Sequence, residues 1–247
     1  MSRKLELEHH PHAIRDRLLE QHRARYLGDA VLGGIDGCVT TFAVVAGAVG
    51  GNLSTGVVVI LGFANLLADG FSMGVSNYLG TKSELQEIEE IRRKERLHIE
   101  KVPHGEREEI RQIFAGKGFT GEVLDKIVEV ITSNHELWVE TMLREEHGFG
   151  AGTRKPLAAG LATFLAFLVV GLIPLCPYLV AGLTASQRFL LSAVITAIAF
   201  ASIGVAKGIV VKHSIFRSGL ETLIVGSIAA ALAYLVGYWL RSAYGAA

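Results

Sequence analysis

Residues 28–101 decide the fold: GDAVLGGIDGCVTTFAVVAGAVGG (28–51), Asn52, LSTGVVVILGFANLLADGFSMGVSNYLGTK (53–82) and SELQEIEEIRRKERLHIEK (83–101). Two apolar runs, each with the ~20 residues that a hydrocarbon core demands of a helix, flank a short polar turn at Gly51, Asn52, Leu53 and Ser54. Each run carries an acid, Asp36 in the first and Asp69 in the second. A charged side chain at the bilayer centre costs roughly 2.5–3.5 kcal/mol or more, so both acids are candidates for function before packing. The second run continues, without a proline or other stop, into a highly charged stretch. That continuity predicts a single helix of roughly 70 Å at ~1.5 Å per residue, with a membrane-level site and a water-facing site on one element.

The composition of the whole chain agrees with this reading. Half of the 247 residues are hydrophobic while only 8% are aromatic, and the mean hydropathy is +0.39. The apolar content is concentrated in runs, which describes a polytopic membrane protein and not a soluble core. Lysine and arginine together number 24, as do aspartate and glutamate, so charge gives no argument for nucleic acid as a partner. Cys38 and Cys176 both fall in apolar runs, which speaks against a disulfide framework. The first residues lack the pattern of a cleaved signal peptide, so no leader is expected to be removed.

Ahead of the first run, residues 1–12 hold His9, His10 and His12 and read as a mobile tail. From Ala13 to Leu27 the apolar Ile14, Leu18, Leu19 and Tyr26 recur at helical spacing against Arg15, Arg17, Arg23 and Arg25, the pattern of an amphipathic helix on an anionic membrane surface. Residues 1–28 therefore form a tail and interfacial helix, and 29–80 the first two spans. Residues 81–155 form a polar domain and 156–247 the remaining spans. Five spans are expected, at 29–50, 54–80, 156–180, 187–210 and 219–240, the third weakened by Pro174 and Pro177.

Basic residues fix the orientation. The N-terminal segment, the polar domain and the 207–217 connection (Lys207, Lys212, Arg217) are basic, whereas the turn at 51–54 and the connection at 178–187 have no Lys or Arg. By the positive-inside rule the N terminus and polar domain are cytoplasmic and the C terminus lies outside. Lys207, Lys212 and Glu221 near the cytoplasmic ends read as interfacial anchors.

The polar domain reads as a three-helix bundle. Its first helix continues the second span to about Lys101, Pro103, His104 and Gly105 break the chain, and Glu106–Ala115 form the second. Gly116, Lys117 and Gly118 turn it, and Thr120 caps a third helix with Ile127, Val128, Ile131, Leu137, Trp138 and Leu143 as its apolar stripe. Gly148, Gly150 and Gly152 then loosen the chain toward the third span.

Two constellations carry chemistry. In an antiparallel hairpin turning near residue 52, Asp36 lies level with the stretch from Asp69 to Met73, among Thr40, Thr41, Asn65, Ser72, Ser76 and Asn77. Carboxylates with a thioether make a mixed hard and soft site that suits a first-row transition ion better than Na⁺ or Mg²⁺. In the polar domain Glu95 and His98 stand three apart, Glu106 and Glu109 repeat that spacing, and Met142 and Glu146 are one turn apart. Carboxylates with Glu-x-x-His spacing on facing helices resemble the ligands of di-iron bundles. A solvated acidic face stays open as the alternative, since Glu87, Glu89, Glu90, Glu108, Glu140 and Glu145 are equally acidic. Gly33 and Gly37, Gly47 and Gly51, and Gly70 and Gly74 form small-xxx-small pairs suited to close helix packing.

Five stretches taken together resemble the vacuolar iron transporter family of plants, yeasts and many bacteria. They are DGCVTTFAVVAGAVGGNLS (36–54), LGFANLLADGFSMGVSNYLGTKSE (61–84), HGEREEIRQIF (104–114) followed by KGF, VITSNHELWVETMLREE (130–146) and PLAAGLATFLAFLVVGLIPLCPYL (156–179). The resemblance implies a homodimer of five-span protomers with a cytoplasmic metal-binding bundle, moving Fe²⁺ out of the cytosol against protons. Asp36 and Met73 match the acid and thioether of that family's translocation path, and Glu95, Glu106, Glu109, Met142 and Glu146 match its cytoplasmic ligands. His98 stands where the family has a glutamate, which preserves a ligand of softer character or hands its role to Glu100.

The expectation is thus an all-α membrane protein that works as a secondary transporter and not an enzyme. It exports Fe²⁺ or Mn²⁺ by proton antiport through Asp36, Met73, Asp69, Thr40 and Asn77. The ion is substrate and bundle ligand, and no tightly bound cofactor is expected. A membrane-tethered di-iron ferroxidase would need a second Glu-x-x-His, and a flux-free metal sensor would need no acid in the spans. Compact loops and the absence of extensions favour a bacterial inner membrane over a vacuolar one.

Overall fold

The apolar run after Tyr26 forms a helix of 24 residues, and the turn that ends it is built on Asn52, whose φ of 58° is one of the few backbone states that asparagine tolerates better than most side chains. A computed structural model describes residues 10–20, 26–150, 154–211 and 215–245. Its helices are α1 (Pro11–Glu20), α2 (Leu27–Gly50), α3 (Thr55–Lys101), α4 (Pro103–Gly116), α5 (Gly121–Thr132), α6 (His135–Glu145), α7 (Pro156–Gly171), α8 (Ala185–Val211) and α9 (Ile215–Tyr244), with a 3₁₀ helix at Ile173–Leu179 after α7. No strand occurs among the described residues. The chain divides into two compact units, one of Met1–Ala24 and Thr81–Arg154, the other of Arg25–Gly80 and Lys155–Ala247. As the unbroken charge-to-apolar transition predicted, α3 is one helix of 47 residues whose first part belongs to the second unit and whose remainder belongs to the first.

The second unit is apolar inside and outside, as a membrane protein must be. Four helices, α2, α3, α8 and α9, are long and apolar enough to cross a bilayer, and a fifth span exists if the bent pair α7 and the 3₁₀ helix counts as one. The bend is 40°, and Pro174 and Pro177 cause it by withholding backbone donors and crowding the preceding turn. The hydroxyl of Ser192 on α8 donates to the Pro174 carbonyl at 2.7 Å, satisfying an acceptor that the bend leaves over. Ile60 and Phe71 on α3 and Leu232, Leu235 and Trp239 on α9 point out of the unit, an arrangement costly against water and ordinary against lipid.

Close approach of backbones holds this unit together. A Cβ on Gly33 or Gly37 of α2 would lie 2.2 or 2.4 Å from the carbonyl oxygens of Thr163 and Phe167 on α7, and one on Gly74 of α3 would lie 2.9 Å from Phe164. Two of the small-residue pairs are therefore spent within one chain, on α7. At the far end Arg188, one residue beyond the expected connection, donates to Thr55 Oγ1 at 3.0 Å and to the Val180 carbonyl at 3.2 Å.

The first unit has its own core. Ile99 of α3, Ile110 of α4, Val128 and Ile131 of α5, and Val139 and Leu143 of α6 cluster without solvent, each contributing on the order of 1.5–3 kcal/mol by burial. The structure corrects the expected helices here. The third helix of the bundle is two, α5 and α6, broken at Ser133 and Asn134. The Ser133 hydroxyl donates to Val130 O at 2.8 Å and Asn134 Oδ1 accepts from the Leu137 amide at 3.1 Å, so these short polar side chains end one helix and cap the next. Thr120 makes no side-chain cap, and Leu137, placed in the apolar stripe by a continuous helix, is 42% exposed. Pro103 does not break the chain over three residues; it opens α4 two residues after α3 ends, because a proline at the first helical position sacrifices no hydrogen bond.

Outside the two cores the differences are small. Helix α1 begins at Pro11, ahead of the expected Ala13, and Leu27 belongs to α2. α8 and α9 run longer than expected, and Lys212, like His9, lies outside the described residues.

Candidate metal centre

Three helix ends bring carboxylates together in the unit that contains residues 81–154. The Glu95, His98 and Ile99 positions share one face of α3, so the turn that buries Ile99 in the core also buries Glu95. Glu106 sits in the first turn of α4, where unpaired backbone N–H groups favour negative charge. Glu146 and His147 follow α6, where the His147 amide donates to the Met142 carbonyl at 3.3 Å. Gly148, at φ 73°, then takes the left-handed conformation that ends a helix, so it caps α6 where the sequence reading saw only loosening.

The resulting geometry is tight. His98 Nδ1 lies 3.3 Å from Glu106 Oε1, His147 Nε2 lies 3.1 Å from Glu95 Oε1, and the same nitrogen is 3.8 Å from Glu146 Oε2. Ligand atoms of Glu95, His98 and Glu106 all lie within 4.8 Å of one another, and so do those of Glu95, Glu146 and His147. Donors on one ion with bonds of ~2.0–2.2 Å stand at most about 4.4 Å apart, so a small side-chain adjustment closes either triad. Glu95 and Glu106 are only 4% and 5% exposed, and Oε2 of each has no hydrogen-bond partner.

Burial without a cationic partner sets Glu95 and Glu106 apart, since many exposed acids of the unit are paired. Glu89 and Glu140 pair with Arg92, Glu90 with Arg93, Glu136 with Arg96, Glu108 with Arg111 and Glu145 with Lys117. Among the described residues no Lys or Arg pairs with Glu95, Glu106, Glu109 or Glu146. Burial, then the charges of Glu109, Glu95 and Glu146, push Glu106 up to about 7. Burial also raises Glu146, with Glu95 and Glu109 adding to the rise and His147 and His98 opposing it. Repelling carboxylates withdrawn from water hold protons until a cation replaces them.

The other expected ligands are less central. Glu109 is exposed and acts on Glu106 and Glu146 through its charge. Met142 is fully buried in the apolar cluster with Val139 and Leu143. Glu100, the substitute considered for His98, is exposed.

In the other unit Asp36 on α2 and Asp69 and Met73 on α3 are each half-buried. Thr40 donates its hydroxyl to the Asp36 carbonyl at 2.9 Å. Asn77 goes elsewhere: its amide nitrogen lies 3.0 Å from Asp29 Oδ1, 3.2 Å from the Ala159 carbonyl and 2.7 Å from Thr163 Oγ1. The Asn77 to Asp29 bond has the register that an antiparallel hairpin turning near residue 52 predicts.

A model of the VIT family matches residues 27–238, which take in both units. The chain belongs to the VIT family. Among relatives, a vacuolar iron transporter of Toxoplasma gondii is 34% identical over 230 residues, covering 90% of this chain and 76% of that protein. Vacuolar iron transporter 1 of Eucalyptus grandis is 30% identical over 225 residues (88% and 90%). Its namesake in Arabidopsis thaliana is 30% identical over 234 (94% and 93%).

Two residues of this VIT family chain escaped the sequence reading. Asp29, 6% exposed in the first turn of α2, was only the first residue of the first expected span. His147 lay just past the last expected ligand, and the signal that marks it is its place between Glu146 and the cap glycine Gly148.

Proposed function

We propose that the protein is a secondary transporter that exports a divalent transition metal, Fe²⁺ or Mn²⁺, from the cytosol in exchange for protons. The observation that carries this reading is the pair of buried, cation-free carboxylates Glu95 and Glu106, in a chain whose relatives are named vacuolar iron transporters. The unit around them faces the cytosol and captures the ion with Glu95, His98, Glu106, Glu109, Met142 and Glu146. The ion then passes to Asp36, Asp69 and Met73, with Thr40 beside the path, while Asn77 is held by Asp29 and Thr163. Half-burial of Asp36, Asp69 and Met73 within one chain supports a homodimer in which a second copy completes the path. Protonation of Asp36 on the outward side releases the ion, since a carboxylate that gains a proton loses its attraction for a cation. The N terminus is cytoplasmic and the C terminus is outside.

Proteoliposomes with a trapped pH dye test the reading. Fe²⁺ or Mn²⁺ entry with opposite proton movement is expected for the native chain, and Asp36→Ala is expected to reduce flux to the leak while leaving metal binding at the Glu95 site intact. Normal flux in that variant would overturn the path.

A further inference from the structure

The family resemblance supplies a ligand set of carboxylates and a thioether, and in it His98 is an isolated departure. The structure adds a second imidazole, that of His147, 3.1 Å from Glu95 Oε1. We propose that His147 is a metal ligand of this site, that His98 and His147 give each of the two triads sharing Glu95 one nitrogen donor, and that these imidazoles direct binding toward borderline divalent ions such as Co²⁺, Zn²⁺ and Fe²⁺ and away from Mn²⁺ and Mg²⁺. The inference rests on the reading of Glu95 and Glu106 as metal-capturing groups.

Three observations carry it. His147 is held in place: its own amide and that of Glu146 donate to the Met142 carbonyl at 3.3 and 3.0 Å, the Phe149 amide donates to Leu143 O at 3.0 Å, and the His147 and Phe149 rings pack with centroids 6.4 Å apart. Such fixing lowers the entropy lost when a side chain becomes a ligand. The ring nitrogen already points at a carboxylate with spare capacity, since Nε2 is 3.1 Å from Glu95 Oε1 while Glu95 Oε2 is buried and without a partner. Finally, Glu95 belongs to both triads, one completed by His98 and Glu106 and the other by His147 and Glu146. An ion in either triad meets one imidazole and two carboxylates.

Donor type then sets preference. Carboxylate oxygens alone suit Mg²⁺, Ca²⁺ and Mn²⁺, whereas imidazole suits the later first-row ions, whose affinity for nitrogen rises along the series. His98 in one triad and His147 in the other each set an imidazole beside carboxylates, so both move the donor set in the same direction. Negative charge on Glu95, Glu106 and Glu146 still supplies the attraction, so the histidines act on choice of ion more than on capture.

The test uses the full chain in detergent with His9, His10 and His12 replaced by alanine, so that N-terminal imidazoles do not contribute. Binding of Co²⁺ and Mn²⁺ is measured by equilibrium competition, and imidazole ligation by X-ray absorption of the Co²⁺ complex. His147→Ala is expected to weaken Co²⁺ at least 10-fold while changing Mn²⁺ by less than threefold, and to lower the imidazole count at the metal. His147→Asp keeps a ligand at the position and is expected to strengthen Mn²⁺ relative to Co²⁺. An unchanged Co²⁺ to Mn²⁺ ratio and imidazole count in both variants would overturn the role of His147 while leaving the carboxylate site standing. Native-like Co²⁺ binding in Glu95→Gln with Glu106→Gln would overturn the site itself and the inference with it.

Discussion

The two units use the same residue types for opposite ends. In the unit of residues 81–154, acids are concentrated where three helix ends meet, and the buried pair Glu95 and Glu106 is enclosed by one chain. In the apolar unit Asp36 and Asp69 are only half-buried within their own chain. Capture from a dilute pool calls for preorganised ligands that gain most from a cation. Passage calls for a site open enough to let the ion go. On the proposed reading the first site is built for affinity and the second for release.

The sharpest way to break that comparison is to neutralise the enclosed site alone. Glu95→Gln with Glu106→Gln preserves shape and removes two buried charges. Metal affinity of that unit should fall by at least ~100-fold, beyond the 10–100-fold that changes around a metal site cost. Flux at saturating metal should stay within about threefold of native. Isotope binding and proteoliposome uptake on the same preparations check both halves, and loss of saturated flux would show that the two sites do not divide the labour.

Acidity gives the next effect in size. Glu106 titrates at about 7, raised mainly by burial and then by Glu109, Glu95 and Glu146, so lowering the pH from 7.5 to 6 should weaken metal binding roughly 10-fold through this one proton. Glu106→Gln should flatten that part of the profile. The same shift has a stability consequence of fixed sign. Folded Glu106 holds its proton more tightly than an unfolded glutamate does, so its contribution is fully present below the ordinary value of 4.5 and is lost as the pH rises through about 7. Metal-free protein should therefore melt lower at pH 7.5 than at pH 5.5 through this group, and the added metal should reverse the order. Melting curves with and without metal at the two pH values decide it.

These contrasts also explain what was legible in the sequence. The apolar runs of α2, α3, α8 and α9 were readable because bilayer thickness imposes a length that composition reveals, and Pro174 and Pro177 announced the bend. Glu95 with His98 was readable because helical spacing puts them on one face. What failed was local and polar. Ser133 and Asn134 split a helix by side-chain hydrogen bonds that compete weakly with a strong apolar period, and that misjudgement carried Leu137 into the core. His147 and Asp29 were missed for a shared reason: each sits at a helix end, where periodicity stops and the fold alone decides which way a side chain turns.

Glycine offers the finest discrimination between the units. In the apolar unit Gly37 is a packing residue, because a Cβ there would lie 2.4 Å from the Phe167 carbonyl oxygen, a backbone atom that cannot swing aside. Gly116, at the C-terminal end of α4 in the other unit, has nothing within 4 Å of such a Cβ. Gly37→Ala should therefore push α2 from α7 and cost ~1–3 kcal/mol, the usual penalty for overpacking. Gly116→Ala should gain about 0.5–1 kcal/mol by restricting the unfolded chain. Thermal melting of the two variants in one detergent reads both signs. If both lower the melting temperature, the open space at Gly116 is closed in solution; if neither does, the α2–α7 packing is looser than the backbone approach implies.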